Sequence, residues 1–219
     1  MTEYKKLLAL YKHPFNLVRI GRMCDGGYIV PAELINNNLL TCGISNEISF
    51  EEHYLNLIVN PNIHCFDGTI DYFPSNNPAF IWHKMNIDSV DTDTTFCLNT
   101  IFDSFFAYQD HVLVKMDIEG GEYPGFETIS EENLNKIDCL VVEVHDIEQR
   151  YDDFSALMNK LMGSLVLIHK HDNWGGGYFE AEDECFARVY ELTFVHKRYI
   201  PELEVNDVSL PIPGLDYRN

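Results

Sequence analysis

The chain has 219 residues, 46% of them hydrophobic, enough to bury the core of one α/β domain. Its 15 Lys and Arg stand against 35 Asp and Glu, a formal net charge of -20. That field repels phosphate backbones and anionic lipid, which argues against nucleic acid or a membrane surface as partner, and no apolar run reaches the roughly 18 residues of a membrane span.

Residues 3–12 read as a short helix ended by Pro14, with no hydrophobic stretch of signal-peptide length, so a cytoplasmic setting is expected. Residues 17–21 and 28–30 read as short strands around the turn Cys24-Asp25-Gly26-Gly27. An alternation then begins. Residues 39–42 form a strand leading into Gly43, and 50–59 a helix with Phe50, Tyr54, Leu57 and Ile58 on one stripe. A strand over 63–66 ends in Asp67-Gly68, and another over 80–85 closes at Asn86-Ile87-Asp88. A helix over 95–108 precedes the strand 111–116, and a further helix starts near Glu122. The strand 139–144 ends in His145-Asp146. A helix over 154–161, a strand over 165–169, a loop over 172–177 and a long strand over 186–195 follow, with an irregular tail after Pro201. The six cysteines have no CxxC spacing and several lie in apolar strand-like runs, which predicts free thiols in a reducing compartment.

Strands alternating with helices, several continuously apolar, predict a mostly parallel sheet covered on both faces. The last two strands follow each other without a helix and predict an antiparallel pair at one edge. Together they predict an α/β fold with a mostly parallel seven-stranded sheet, one antiparallel edge strand and helices on both faces, a topology that resembles the Rossmann-like fold of the methyltransferases. The expected organisation is one domain over 1–219, with 1–38 as a cap segment, 39–200 as the core and 201–219 as the tail.

The signature lies in Val112-Leu113-Val114-Lys115-Met116-Asp117-Ile118-Glu119-Gly120-Gly121-Glu122. An apolar strand releases Lys115, Asp117 and Glu119 on one face, since alternate residues of a strand share a side. Two glycines then permit a tight exit. Charge at the carboxyl end of a buried strand is how open α/β sheets build a ligand crevice. Gly43 allows close backbone approach to a ligand, and Ser45 and Asn46 are placed to cap the next helix. Asp67, roughly 20–25 residues beyond the glycine turn, is placed to accept ribose hydroxyls, and Asp88 to meet an adenine amino group. Glu143 and His145 share a strand face, and the strand order makes them neighbours of Asp117. A carboxylate and an imidazole there suit acid–base work. With Glu143 or Glu119 they also suit a divalent metal, manganese, iron or zinc rather than calcium. The alternative is a set of buried acid partners for Lys115. His171, Asn173 and Trp174, with the glycines after them, have the composition of a sugar-binding loop.

With these residues in place, the chain resembles the FkbM family of S-adenosylmethionine-dependent O-methyltransferases. Lys115-Met116-Asp117-Ile118-Glu119-Gly120-Gly121-Glu122 is similar to that family's Lys-x-Asp-x-Glu-Gly-x-Glu signature. Glu143-Val144-His145 lies at the expected distance beyond it, and His171-Asp172-Asn173 resembles a later His/Asn loop. Asp25-Gly26-Gly27-Tyr28 looks like a segment that precedes the first sheet strand in some relatives. At the cofactor turn the chain departs from the pattern, with Thr41-Cys42-Gly43-Ile44-Ser45-Asn46 where relatives often carry an acid and two glycines. The resemblance implies methylation of a hydroxyl on a sugar, sugar nucleotide or natural-product scaffold. Cofactor contacts are then expected from Asp25, Tyr28, Gly43, Ser45, Glu47, Asp67, Gly68 and Asp88. Catalysis is expected from Asp117, His145 and Lys115, a metal at Asp117, Glu143 and His145, and acceptor contacts from Glu119, His171, Asn173 and Trp174. A homo-oligomer stays open. Two rivals also stay open: a metal-dependent phosphoester hydrolase on a Rossmann-like sheet, and a non-catalytic binding module that keeps the fold.

Overall fold

The computed structural model describes residues 3–217 other than residue 182; the ends of the expected 1–219 span, residues 1, 2, 218 and 219, lie outside them. Helix α1 (Glu3–Leu7) leads to a hairpin of β1 (Leu17–Ile20) and β2 (Tyr28–Pro31). Then come β3 (Asn38–Cys42), α2 (Ser49–Leu55), β4 (Asn62–Phe66) and β5 (Phe80–His83). A two-residue pair follows, β6 (Asn86–Ile87) with β7 (Thr95–Phe96), and then α3 (Leu98–Phe105). The second half runs β8 (Val112–Met116), α4 (Glu122–Glu127), α5 (Glu131–Leu134), β9 (Ile137–Val144), α6 (Tyr151–Ser164) and β10 (Leu165–Asp172). An arm of β11 (Tyr178–Ala181) and β12 (Glu184–Ala187) precedes β13 (Tyr190–His196).

The seven-stranded sheet has the order β10-β13-β9-β8-β3-β4-β5. From β9 to β5 neighbours are parallel, and β13 runs antiparallel to both β9 and β10. The mostly parallel Rossmann-like methyltransferase sheet is therefore present, with one refinement. The antiparallel strand lies one place in from the edge, and β10 holds the edge itself. The α6 crossover carries β10 two positions beyond β9 and leaves a one-strand gap. The chain then turns back through the β11–β12 arm, and β13 fills the gap with partners on both sides.

Strands β8 and β9 are buried at every position, which is why their sequence reads as unbroken apolar runs. One face packs Leu40, Val114, Leu140 and Phe194 under α3 to α6, in a cluster with Phe102, Phe126 and Phe154. Each such side chain contributes about 1.5–3 kcal/mol on burial. The other face was expected to carry helices as well. Among the described residues it carries α2, with Phe50 and Tyr54, and the β1–β2 hairpin, with Ile20, Tyr28 and Val30. No helix forms between β4 and β5. Two sequence boundaries shift for the same kind of reason. The helix expected from residue 95 begins at Leu98 because Thr95 and Phe96 pair with β6. The expected strand 186–195 is split into β12 and β13, since Phe186 pairs with Phe179 in the arm and Tyr190 re-enters the main sheet.

Candidate active site

The carboxyl ends of the parallel strands converge on one crevice of about 410 Å³. Its floor begins where β3 leaves the sheet at Gly43, with φ 83°. A Cβ there would lie 1.6 Å from the carbonyl oxygen of Asp117, so no other residue fits. Ser45 also takes a left-handed φ of 51°. The amides of Ile44 and Ser45 donate to Asp67 Oδ2 at 2.9 and 2.8 Å. Asp67 Oδ1 accepts from the Thr69 amide at 2.8 Å and its hydroxyl at 2.6 Å. Burial resists the charge on Asp67, but these bonds outweigh it and hold the carboxyl below its ordinary range. Among the described residues the crevice wall carries the acids Asp25, Glu47, Glu51, Asp67, Asp117 and Glu119 against a single base, Lys115. Phe66 and Met85 supply an apolar side, and Asn86 a polar edge.

Lys115 is buried, and its ammonium donates to the Gly43 carbonyl at 2.5 Å and sits 5.5 Å from the Tyr28 ring centre. It braces the glycine turn. Next to it, Asp117, Glu143 and His145 bring ligand-type atoms within 4.8 Å of one another. His145 Nε2 lies 3.9 Å from Asp117 Oδ1, 3.5 Å from Glu143 Oε1 and 3.4 Å from Glu119 Oε2. On the far side of the ring, Nδ1 is 3.3 Å from Glu122 Oε1. Burial opposes the charge on His145, yet its hydrogen bonds to Glu122 and Glu143 prevail and raise its pKa to about 11. Burial pushes the Glu143 carboxyl up, against the hydrogen bond from His145. Glu143 Oε2 is buried with no hydrogen-bond partner among the described residues. The arrangement gathers positive charge: a proton on the imidazole, or a cation in its place. Three non-glycine residues with left-handed φ stand at these strand ends: Ser45 (51°), Glu119 (54°) and Asp146 (54°). Such strain clusters where function fixes the backbone.

The structure brings Asp25, Gly43, Ser45, Glu47, Asp67, Lys115, Asp117 and Glu119 to the crevice, and Glu143 and His145 to the adjoining cluster. It corrects others. Tyr28 does not line the crevice: it comes from the covering hairpin, is 1% exposed, and its hydroxyl donates to Asp117 Oδ2 at 2.7 Å. Burial, reinforced by the nearby Asp117, raises that phenol well above its ordinary pKa, so it stays a donor. Gly68 and Asp88 also miss the wall. Gly68 donates its amide to Asn86 Oδ1 at 3.2 Å, and Asp88 caps Ser89 at 2.6 Å. Strand β5 ends at His83, five residues short of Asp88, so Met85 and Asn86 occupy the place assigned to it.

The acceptor loop is corrected too. Asn173 donates to Glu143 Oε1 at 2.8 Å and accepts from the Gly175 amide at 2.9 Å, so it orients Glu143. His171 continues β10 and is buried under the tail, with Nδ1 3.6 Å from Asp216 Oδ1. Trp174 is 44% exposed and lines, with His171, a separate cavity of about 100 Å³. Sequence reading gave no role to Glu122, Asn86 or Met85. Glu122 stood inside the signature. Nothing local distinguished Asn86 from Asp88.

A model of the family described as Methyltransferase FkbM domain matches residues 15–173. No curated protein matches the chain at a significant level. Among solved structures, precorrin-6y C5,15-methyltransferase from Geobacter metallireducens GS-15 is similar over 74% of this chain and 82% of its own, at 12% identity and a TM-score of 0.40. No helix among the described residues is long and apolar enough to cross a membrane.

Proposed function

The chain belongs to the FkbM methyltransferase family, which implies S-adenosylmethionine as methyl donor, and from that premise we propose that it methylates a hydroxyl of a carbohydrate or sugar nucleotide with a divalent cation held by Asp117, Glu143 and His145. One observation carries this reading: cofactor crevice and cluster are a single site, because Asp117 belongs to both. The crevice volume of about 410 Å³ falls within the roughly 300–1,000 Å³ of small-molecule pockets. Its acids complement a sulfonium and an amine, and Phe66 and Met85 suit the face of a purine. The cluster's mixed nitrogen and oxygen donors suit manganese, iron or zinc. The unpartnered Glu143 Oε2 supports a cation there, since a buried carboxylate oxygen without a donor is costly.

When bound, S-adenosylmethionine supplies an electrophilic methyl group on sulfur. A cation on the cluster supplies Lewis acidity toward an acceptor hydroxyl. The protein does the rest. Lys115 and Asp67 hold the Gly43 turn open for the cofactor from two sides. Tyr28 and Asn173 each fix one oxygen of the cluster carboxylates, which sets the direction of the others. Positioning of this kind is a main source of rate in a two-substrate displacement. The metal-free alternative has His145 as general base, and with its pKa raised to about 11 it takes the acceptor proton only at alkaline pH, where the imidazole is neutral. The acidic surface speaks against nucleic acid, and the family resemblance supports a sugar.

Calorimetry with S-adenosylhomocysteine, then with Mn²⁺, tests the two halves separately. Absence of S-adenosylhomocysteine binding would defeat the methyltransferase reading. Methyl transfer that survives exhaustive chelation, with no metal by elemental analysis, would leave only the His145 acid–base version. Transfer to RNA or DNA, with none to any glycan or sugar nucleotide, would overturn the acceptor class.

A further inference from the structure

Glu122 opens α4 and is 0% exposed. A carboxylate so buried must be well hydrogen-bonded or neutral. Its Oε1 accepts from the His145 amide at 2.8 Å and lies 3.3 Å from His145 Nδ1, while Oε2 accepts from the Gly120 amide at 2.8 Å. The adjacent Tyr123 hydroxyl donates to the His145 carbonyl. Two successive residues of α4 thus grip one residue beyond β9 at its N–H, its ring and its C=O. Outside, Arg150 Nη1 donates to the Gly120 carbonyl at 2.9 Å and pins the same turn. The backbone that allows the grip is strained at two non-glycine residues with left-handed φ, Glu119 and Asp146.

An imidazole that binds a cation through one nitrogen carries its proton on the other, and the partner of that second nitrogen selects which. Here Glu122 faces Nδ1, and Nε2 faces Asp117, Glu143 and Glu119. We propose that Glu122 is a positioning residue: it holds the His145 imidazole as the Nδ1–H form, so that Nε2 is the atom presented to the cation between Asp117 and Glu143. This rests on the cation reading above and extends it to a side chain that does not line the crevice. Glu122 acts only through His145.

The test uses the full chain labelled with ¹⁵N-histidine. With Zn²⁺ bound, long-range proton–nitrogen spectra should show His145 protonated at Nδ1 and metallated at Nε2. The near-isosteric Glu122→Gln should weaken Mn²⁺ binding by roughly 10–100-fold, the size typical of lost carboxylate support behind a metal-bound histidine, while S-adenosylhomocysteine affinity stays within about two-fold. Zinc on Nδ1 in the wild type overturns the proposal without any variant. Unchanged Mn²⁺ affinity in a folded Glu122→Gln protein overturns it as well. If the wild type takes up neither metal, the cation reading fails and the metal-free spectrum decides on Glu122. A slowly exchanging Nδ1 proton lost in Glu122→Gln then keeps the positioning role, and its absence from the wild type removes it.

Discussion

Asp67→Ala separates two jobs that one carboxylate can do in this crevice. A carboxylate has about four acceptor positions, and Asp67 receives four donors of its own chain: Ile44 N, Ser45 N, Thr69 N and Thr69 Oγ1. Ser45 and Thr69 are exposed and their donors can return to water, whereas Ile44 is 2% exposed. Its amide would be left buried without a partner, at about 1–3 kcal/mol, and the lost charge-assisted bonds add to that. The expected cost is about 3 kcal/mol. In a chain of this size that lowers Tm by roughly 6–12 °C. Asp67→Asn keeps one carbonyl oxygen for the two turn amides and should lose about half as much. Differential scanning calorimetry reads the stability, and titration with S-adenosylhomocysteine well below Tm reads the crevice. Affinity should fall with stability, because the Gly43–Ser45 turn loses its brace. An unchanged Tm in Asp67→Ala, together with affinity at least about ten-fold weaker (1.4 kcal/mol), would refute this reasoning and return the carboxylate to the ribose.

Gly43→Ala places a Cβ 1.6 Å from the Asp117 carbonyl oxygen at a left-handed φ, so it should cost at least about 3 kcal/mol in urea unfolding; a stable variant with normal cofactor affinity would contradict the turn geometry. Tyr28→Phe keeps the ring beside Lys115 and removes only the 2.7 Å bond to Asp117, so a loss of about 2 kcal/mol and weaker Mn²⁺ binding are expected, whereas an unaffected Mn²⁺ isotherm would deny Tyr28 its part in the cluster. His64 Nδ1 and His83 Nε2 share one hydrogen bond of 2.9 Å, and burial lowers the His64 pKa from 6.5 to about 4. Because the folded value lies below the unfolded one, this site's stability is complete above pH 6.5 and is lost as pH falls toward 4. Denaturant melts at pH 7 and pH 4.5 should therefore show a smaller acid-induced loss in His64→Asn than in the wild type; equal losses would remove the His pair from the acid response.

Much of the fold was legible because its signals are local. A strand buried on both faces must be apolar throughout, as in β8 and β9, and the exits at Gly43 and Gly120 demand a residue tolerant of left-handed φ. The signature strand announced Lys115, Asp117 and Glu119, since alternation along one strand fixes which residues share a side. The convergence of Asp117 with Glu143 and His145 followed from parallel neighbours ending at the same level. Asp88 was misplaced because the register at which β5 stops depends on pairing with β4, and that ended the strand at His83.

The sequence by itself determined the alternation of elements, the glycine turns and the chemistry released at the strand ends, all of which depend on neighbours a few residues apart. Only the tertiary structure decided who faces whom. It set the Tyr28 hydroxyl on Asp117 across 89 residues, Asn173 on Glu143 across 30, and Glu122 on His145 across 23. It also buried His171 beside Asp216 and placed a hairpin where a helix was expected. Those pairings depend on how the covering segments pack on the sheet, and packing is a property of surfaces brought together by the whole chain.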